Sequence, residues 1–169
     1  GATINVTNWE DAVIALAAAK RISRGVIVEK FITGYDYRLL VVDYKFIAGA
    51  KRTPAMVTGD GKHSIKELVD AVNKDPRRGY GHEKVLTSIK IDDTTLAILQ
   101  EKNLTLDSVL KKGEELHLKR TANLSTGGTS TDVTEIVHPY NVFMAERIAR
   151  IIGLDICGID IMSPDISIP

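Results

Sequence analysis

The chain has one cysteine, Cys157, so it can form no internal disulfide, and a lone thiol offers no zinc-ligand spacing. In its apolar surroundings Cys157 reads as a small buried hydrophobe. No apolar run reaches the roughly 20 residues needed to cross a bilayer, and no charged-then-apolar leader opens the sequence. The expectation is a soluble, cytoplasmic protein with no membrane partner. No charge sign dominates: 22 lysines plus arginines face 22 aspartates plus glutamates. That balance argues against a nucleic-acid partner held by phosphate neutralisation. Internal repeats and low-complexity segments are lacking too.

What is present suits folding. The 169 residues are 44% hydrophobic and 26% charged, enough for one domain or a lobe with an insert and too short for two enzymatic domains. The sequence starts in strand-like Gly1–Val6 without an initiator methionine and stops just after another strand-like segment. It reads as a piece of a longer protein.

Local patterns predict the elements. Residues 2–6 alternate as a strand. Thr7 and Glu10 form a capping box, followed by Trp9, Val13, Leu16 and Ala17 at helical spacing, with Gly25 as the stop. Val26–Phe31 reads as a second strand. After a turn at 32–35, a strand at 36–42 places Asp36, Arg38, Leu40 and Val42 on one face. A tight turn near Asp43 and Tyr44 returns the chain through Phe46 to Arg52, an antiparallel hairpin. Pro54 and Thr58–Gly61 end it.

Ser64 and Glu67 make a second capping box ahead of the stripe Ile65, Leu68, Val69 and Val72. Residues 73–82 read as loop, 93–102 and 106–111 as short helices, and 115–120 as a strand. The glycine- and hydroxyl-rich 121–131 reads as irregular. Pro139 starts a helix at the position where a missing amide does no harm. Its expected buried stripe is Ala145, Ile148, Ala149 and Ile152, with Gly153 as the stop, and 155–162 is the last strand.

Few residues carry chemistry by themselves. Asp160 lies in an apolar strand beside Gly158, and a carboxylate there needs a partner. Two readings stand: an ion pair with an arginine, or a ligand for a hard metal such as magnesium. Asp36 and Arg38 share a strand face, either as a solvated ion pair or as ligand contacts. Lys51, Arg52 and Arg120 lie at strand ends, and Arg120 precedes the glycine loop, a pattern that suits an anionic ligand or plain surface charge. That loop lacks Walker spacing. His63, His82, His117 and His138 show no ligand spacing and read as ordinary surface or loop histidines.

In order along the chain, Val28–Val42, Ala50–Ala55, Thr58–Gly61, Asn73–Glu83, Arg120–Gly128 and Gly153–Asp160 resemble the ATP-grasp ligases. The resemblance covers essentially the whole chain, and its specific parts are the strings Asn73–Glu83 and Arg120–Gly128. It is closest to the members that extend the polymer cyanophycin. It implies an α+β fold with a mostly antiparallel sheet, packed helices and a small helical insertion at about 60–112. Residues 1–31 would belong to the small nucleotide-lid lobe and 32–169 to the large lobe.

The implied reaction uses ATP and Mg2+. A carboxylate, the C-terminus of the polymer's poly-aspartate backbone, becomes an acyl phosphate, and the amine of aspartate attacks it. Glu29, Lys30, Phe31 and Ile32 resemble the adenine hinge, Asp36 the ribose acid and Asp160 a magnesium carboxylate. Arg38, Lys51, Arg52 and Arg120 resemble the cations around the phosphates, where charge builds up in phosphoryl transfer. Asn123, Gly127 and Gly128 resemble the substrate-side wall, and Arg77, Arg78 and His82 are placed at the polymer end.

The family's glycine-rich phosphate loop would precede Gly1 and its Glu-x-Asn segment would follow Pro169, so the piece alone is expected to be inactive. A homo-oligomeric parent is left open. Two other functions fit some of these features: a glutathione-type or amino-acid ligase, and a non-catalytic domain that binds nucleotide or polymer.

Overall fold

The computed structural model describes residues 3, 6–81 and 83–169. Two compact units divide the chain, Gly1–Thr33 and Gly34–Pro169.

The first unit holds helix α1, Trp9–Lys20. The strand expected over 2–6 falls largely on Ala2, Ile4 and Asn5, outside the described residues. The helix is capped one residue later than Thr7. Asn8 Oδ1 accepts from the Asp11 amide at 2.8 Å, and Asn8 Nδ2 donates to the Asp11 carboxylate at 2.7 Å. Asn8 and Asp11 thus do the work assigned to Thr7 and Glu10. The helix stops at Lys20, before Gly25, and buries none of its residues, so the stripe from Trp9 to Ala17 is not a buried one. Val26–Phe31 is not a strand. β-Branched residues favour extended chain, but a strand needs an edge to pair with, and Ile27 and Val28 stand 84% and 89% exposed.

The second unit is built on a four-stranded antiparallel sheet whose strands lie in the order Thr129–Asp132, Lys45–Thr53, Tyr35–Val42, Ile156–Ser163. Strands β1 (Tyr35–Val42) and β2 (Lys45–Thr53) form the expected hairpin. Asp43 and Tyr44 turn it with φ of 51° and 57°, the pair of positive values that a two-residue type I′ turn requires. Strand β8 (Ile156–Ser163) lies beyond β1, and β7 (Thr129–Asp132) beyond β2. β7 takes up part of the stretch expected to be irregular, because Thr129–Asp132 pairs with the exposed edge of β2.

Helix α4 (Pro139–Ile152) covers one face of this sheet. Pro139 is its first residue, the His138 ring accepts from the Tyr140 amide, and Gly153 ends it at φ 77°. The core between them holds Tyr37, Leu39, Val41, Ala145 and Ala149, with Cys157, Ile159 and Ile161 partly buried against it. Ile148 and Ile152 of the expected stripe are exposed. Cys157, expected to be buried, packs against this core but is only partly buried.

The insertion contains strands as well as helices. Strand β3 (Met56–Thr58) pairs with β6 (Glu115–His117), and the two-residue strands β4 (Arg78–Gly79) and β5 (Leu86–Thr87) run parallel. Helices α2 (Ile65–Asn73) and α3 (Asp93–Glu101) pack with them around Val57, Ile65, Val69, Leu99, Leu110 and Leu118. The Ser64–Glu67 capping box is complete, a feature worth about 1 kcal/mol. Residues 106–111 are not helical. The carbonyls of Leu106 and Ser108 instead accept from the Lys66 and Ile65 amides, which α2 itself leaves without partners at its start.

Candidate functional site

The face of the sheet away from α4 carries a row of alternating charge. On β1, Asp36 and Arg38 point there while Tyr37 and Leu39 point into the core. Register brings their partners into line: Arg52 of β2 stands opposite Asp36, and Asp160 of β8 opposite Arg38. Arg38 donates Nε and Nη2 to the two Asp160 oxygens at 2.8 and 2.9 Å, a fork on a carboxylate. Arg52 donates Nε to Asp36 Oδ1 at 2.8 Å, and its Nη2 lies 2.5 Å from that oxygen and 3.2 Å from Asp160 Oδ1. One guanidinium thus joins the two acids.

The hairpin decides which cation takes that place. Its ladder shifts by one residue between Leu40 and Val41, leaving Ile47 unpaired. Were the ladder unbroken from the turn, Lys51 would stand opposite Asp36, because a one-residue slip exchanges the faces of a strand. With the bulge, Lys51 points to the other face, where its Nζ sits 3.3 Å from the centre of the Tyr35 ring. Lys51 and Arg52, expected to act together, are therefore parted.

Asp160 is not a deeply buried acid. Its side chain is 51% exposed and that of Arg38 50%, so their pair adds only about 0–1 kcal/mol to stability. The interaction instead fixes direction and charge. Hydrogen bonds from Arg38 hold the Asp160 carboxyl below its ordinary range, and Asp160 in turn raises the Arg38 guanidinium. Gly158 makes room for this, since a Cβ there would lie 3.2 Å from Arg38 Cδ.

The other expected site residues do not join the row. Arg120 is ion-paired with Glu101 at the end of α3. Asn123 is exposed and opens the turn Leu124–Thr126, whereas Gly127 and Gly128 are buried beneath Ile89 and Thr53 and cannot themselves form an open wall. That turn runs directly into β7, whose Ser130 stands opposite Arg52. Arg77 is exposed and paired with Asp75 at 2.8 Å, which lowers the Asp75 carboxyl to about 2.

Arg78 corrects its expected role. It is 8% exposed, and its Nη1 donates to the carbonyls of Thr87 and Gly127. It is thus not an open loop residue placed to meet a polymer. His82 lies outside the described residues. Glu29, Lys30, Phe31 and Ile32 are exposed, irregular chain in the first unit.

Sequence reasoning missed the reach of Arg52, which depends on the bulge, and the burial of Lys119. Lys119 Nζ donates to Lys90 O, Asp92 and Thr95 Oγ1, a structural knot inside the insertion. The alternation of Glu115–Arg120 puts Lys119 on the face opposite the buried Leu116 and Leu118, so no local pattern signals its burial. Among the described residues no group of three or more His, Cys, Asp or Glu side chains is placed to hold a metal ion, and no helix is long and apolar enough to cross a membrane.

No family model matches the chain. It is 54% identical over its whole length to cyanophycin synthetase of Crocosphaera subtropica, covering 20% of that protein. It is 41% identical over 92% of its length to the glutathione biosynthesis bifunctional protein of Enterococcus faecalis, covering 21% of it. A bifunctional glutathione synthetase of Pasteurella multocida superposes on 97% of the chain with a TM-score of 0.73 at 36% identity, with 22% of that protein covered. The chain thus spans about a fifth of the length of the curated relatives it matches. Similar from end to end to a segment of the cyanophycin synthetases, the chain carries part of an ATP-grasp fold.

Proposed function

We propose that this chain is part of an ATP-dependent carboxylate–amine ligase that extends cyanophycin. The polymer's poly-aspartate backbone would be phosphorylated at its C-terminus, and the acyl phosphate would then be taken by the amine of aspartate. The observation that carries this reading is the Arg38–Asp160–Arg52–Asp36 row on one sheet face, in a chain 54% identical to a cyanophycin synthetase.

Phosphoryl transfer asks a protein mainly for positioning and fixed positive charge. Arg38 and Arg52 supply two guanidiniums whose directions are set beforehand by strand register and carboxylate hydrogen bonds. Such preset donors stabilise developing charge without reorganising. Asp36 is the ribose acid in this reading, and Glu29–Ile32 the adenine hinge. Residues 1–31 serve as part of the lid lobe and 32–169 as part of the large lobe.

Asp160 suits magnesium as one carboxylate of a site that phosphate oxygens and water complete, the usual manner of binding that ion. A magnesium ion bound there would neutralise phosphate charge. Asp160 would hold it, and Arg38 would offer a phosphate oxygen the N–H groups that its fork leaves free.

The glutathione-type alternative rests on the 41% identity and the 0.73 superposition. Substrate choice separates the two: amide formation with aspartate and a polymer primer supports the first, and turnover with a glutathione-type pair alone supports the second.

The roles on β1 are tested by kinetics in the intact protein. Asp36→Ala is expected to raise KM for ATP about tenfold with kcat nearly unchanged, the mark of lost uniform binding. Arg38→Ala is expected to lower kcat about a hundredfold, the scale of losing one charge-stabilising donor. Equal small effects from both would leave Asp36 and Arg38 as members of structural ion pairs with Arg52 and Asp160.

A further inference from the structure

The string Asn73–Glu83 grips its own fold. Asn73 Nδ2 donates to Ile89 O at 2.9 Å, and Asn73 Oδ1 accepts from the Ile89 amide at 2.8 Å, so one side chain does the work of a neighbouring strand. Thr87 Oγ1 donates to Gly81 O at 2.9 Å. Arg78 Nη1 bonds Thr87 O at 2.6 Å and Gly127 O at 3.0 Å. No carboxylate oxygen lies within 4.0 Å of the Arg78 guanidinium among the described residues. A buried cation is costly without a counter-charge, so its hydrogen bonds to carbonyls are what hold it there.

Gly127 is held from a second side. Its φ is 94°, and a Cβ there would lie 2.9 Å from Ile89 Cα; one on Gly128 would lie 2.7 Å from Thr53 O. Ile89 is the residue that Asn73 fixes, and Thr53 follows Arg52. Two residues of the string therefore converge on one peptide of the Asn123–Gly128 segment, Arg78 directly and Asn73 through Ile89.

We propose that Arg78 is a positioning residue: by holding the Gly127 carbonyl it sets the Asn123–Gly128 segment beside Arg52 for the aspartate that donates the amine. The role rests on the ligase reading given above. Arginine suits it because a planar guanidinium stays charged when buried and fixes the directions of its N–H bonds, whereas an ammonium is compact, strongly hydrated and readily loses its proton on burial.

The test uses the intact protein and two variants. Arg78→Met keeps the length of the stem and removes the donors, and Arg78→Lys restores a donor. In Arg78→Met, hydrogen exchange at the Gly127 and Gly128 amides should quicken about tenfold, with the β1 amides of Leu39 and Val41 unchanged. KM for aspartate should rise about tenfold while KM for ATP stays within about twofold, and Arg78→Lys should recover part of both effects. Should Arg78→Met fail to fold, Arg78→Lys carries the same readings at reduced size. Unchanged exchange at Gly127 and Gly128 in a folded variant overturns the clamp. Faster exchange with an unchanged KM for aspartate, or with equal rises in both KM values, overturns the positioning role. Failure of the ligase reading looks different: the wild-type protein would form no amide from ATP and aspartate, whatever the exchange shows.

Discussion

Asp160→Asn in the intact protein is expected to lower ligation by at least about a hundredfold, the scale on which single electrostatic groups act in an active site. The substitution keeps the shape of the side chain and removes the one charge that both Arg38 and Arg52 touch. In the proposed reaction it also removes the carboxylate offered to magnesium. Folding should hardly change, because an exposed ion pair is worth about 0–1 kcal/mol. The small stability difference has a pH signature. Arg38 lowers the Asp160 carboxyl from its ordinary 3.8, so the pair's contribution is complete above that value and is lost as pH falls through the lowered one. Wild type and variant should therefore converge in acid-denaturation curves at the low end. Turnover within threefold of wild type would make Asp160 a purely structural acid.

Leu39→Ala is expected to cost about 2–5 kcal/mol in unfolding free energy, the range for a fully buried leucine. Leu39 has no exposed surface and packs in the core between the sheet and α4. Its neighbour Leu40 points to the charged face and is 38% exposed, so Leu40→Ala should cost about 1 kcal/mol or less. Urea titrations with similar m-values would measure both. A Leu40→Ala effect as large as that of Leu39→Ala would mean that the two faces of β1 are not divided as described.

What was legible in the sequence was local chemistry. The hairpin, the Ser64–Glu67 box, Pro139 and Gly153 each declare themselves within a few residues, and each stands where its pattern puts it. Elements that depend on a distant partner were misread. Val26–Phe31 has strand composition but nothing to pair with among the described residues, and 106–111 gives its carbonyls to a helix start some forty positions earlier. β7 became a strand because β2 offers an edge.

The site divides in the same way. That Asp36 and Arg38 share a face follows from strand period alone, and the arginine partner of Asp160 was one of two open readings. That Arg52 rather than Lys51 reaches both acids follows from a bulge that no local motif announces. The burial of Arg78 was equally hidden, since adjacent arginines beside proline and glycine look like solvated loop.

The fork between Arg38 and Asp160 closes a separation of 122 positions, and that has a consequence for how the chain acquires its site. A hairpin such as β1–β2 forms in microseconds, but β8 can dock only after the intervening chain has closed a long loop, which must be ordered before its contacts repay the lost freedom. Arg38 and Arg52 are thus brought near each other early, as two like charges with Asp36 alone between them. The second acid arrives with the last strand. The complete charge row is a late product of folding, and a chain stalled before β8 docks would show native hairpin structure with no balanced site.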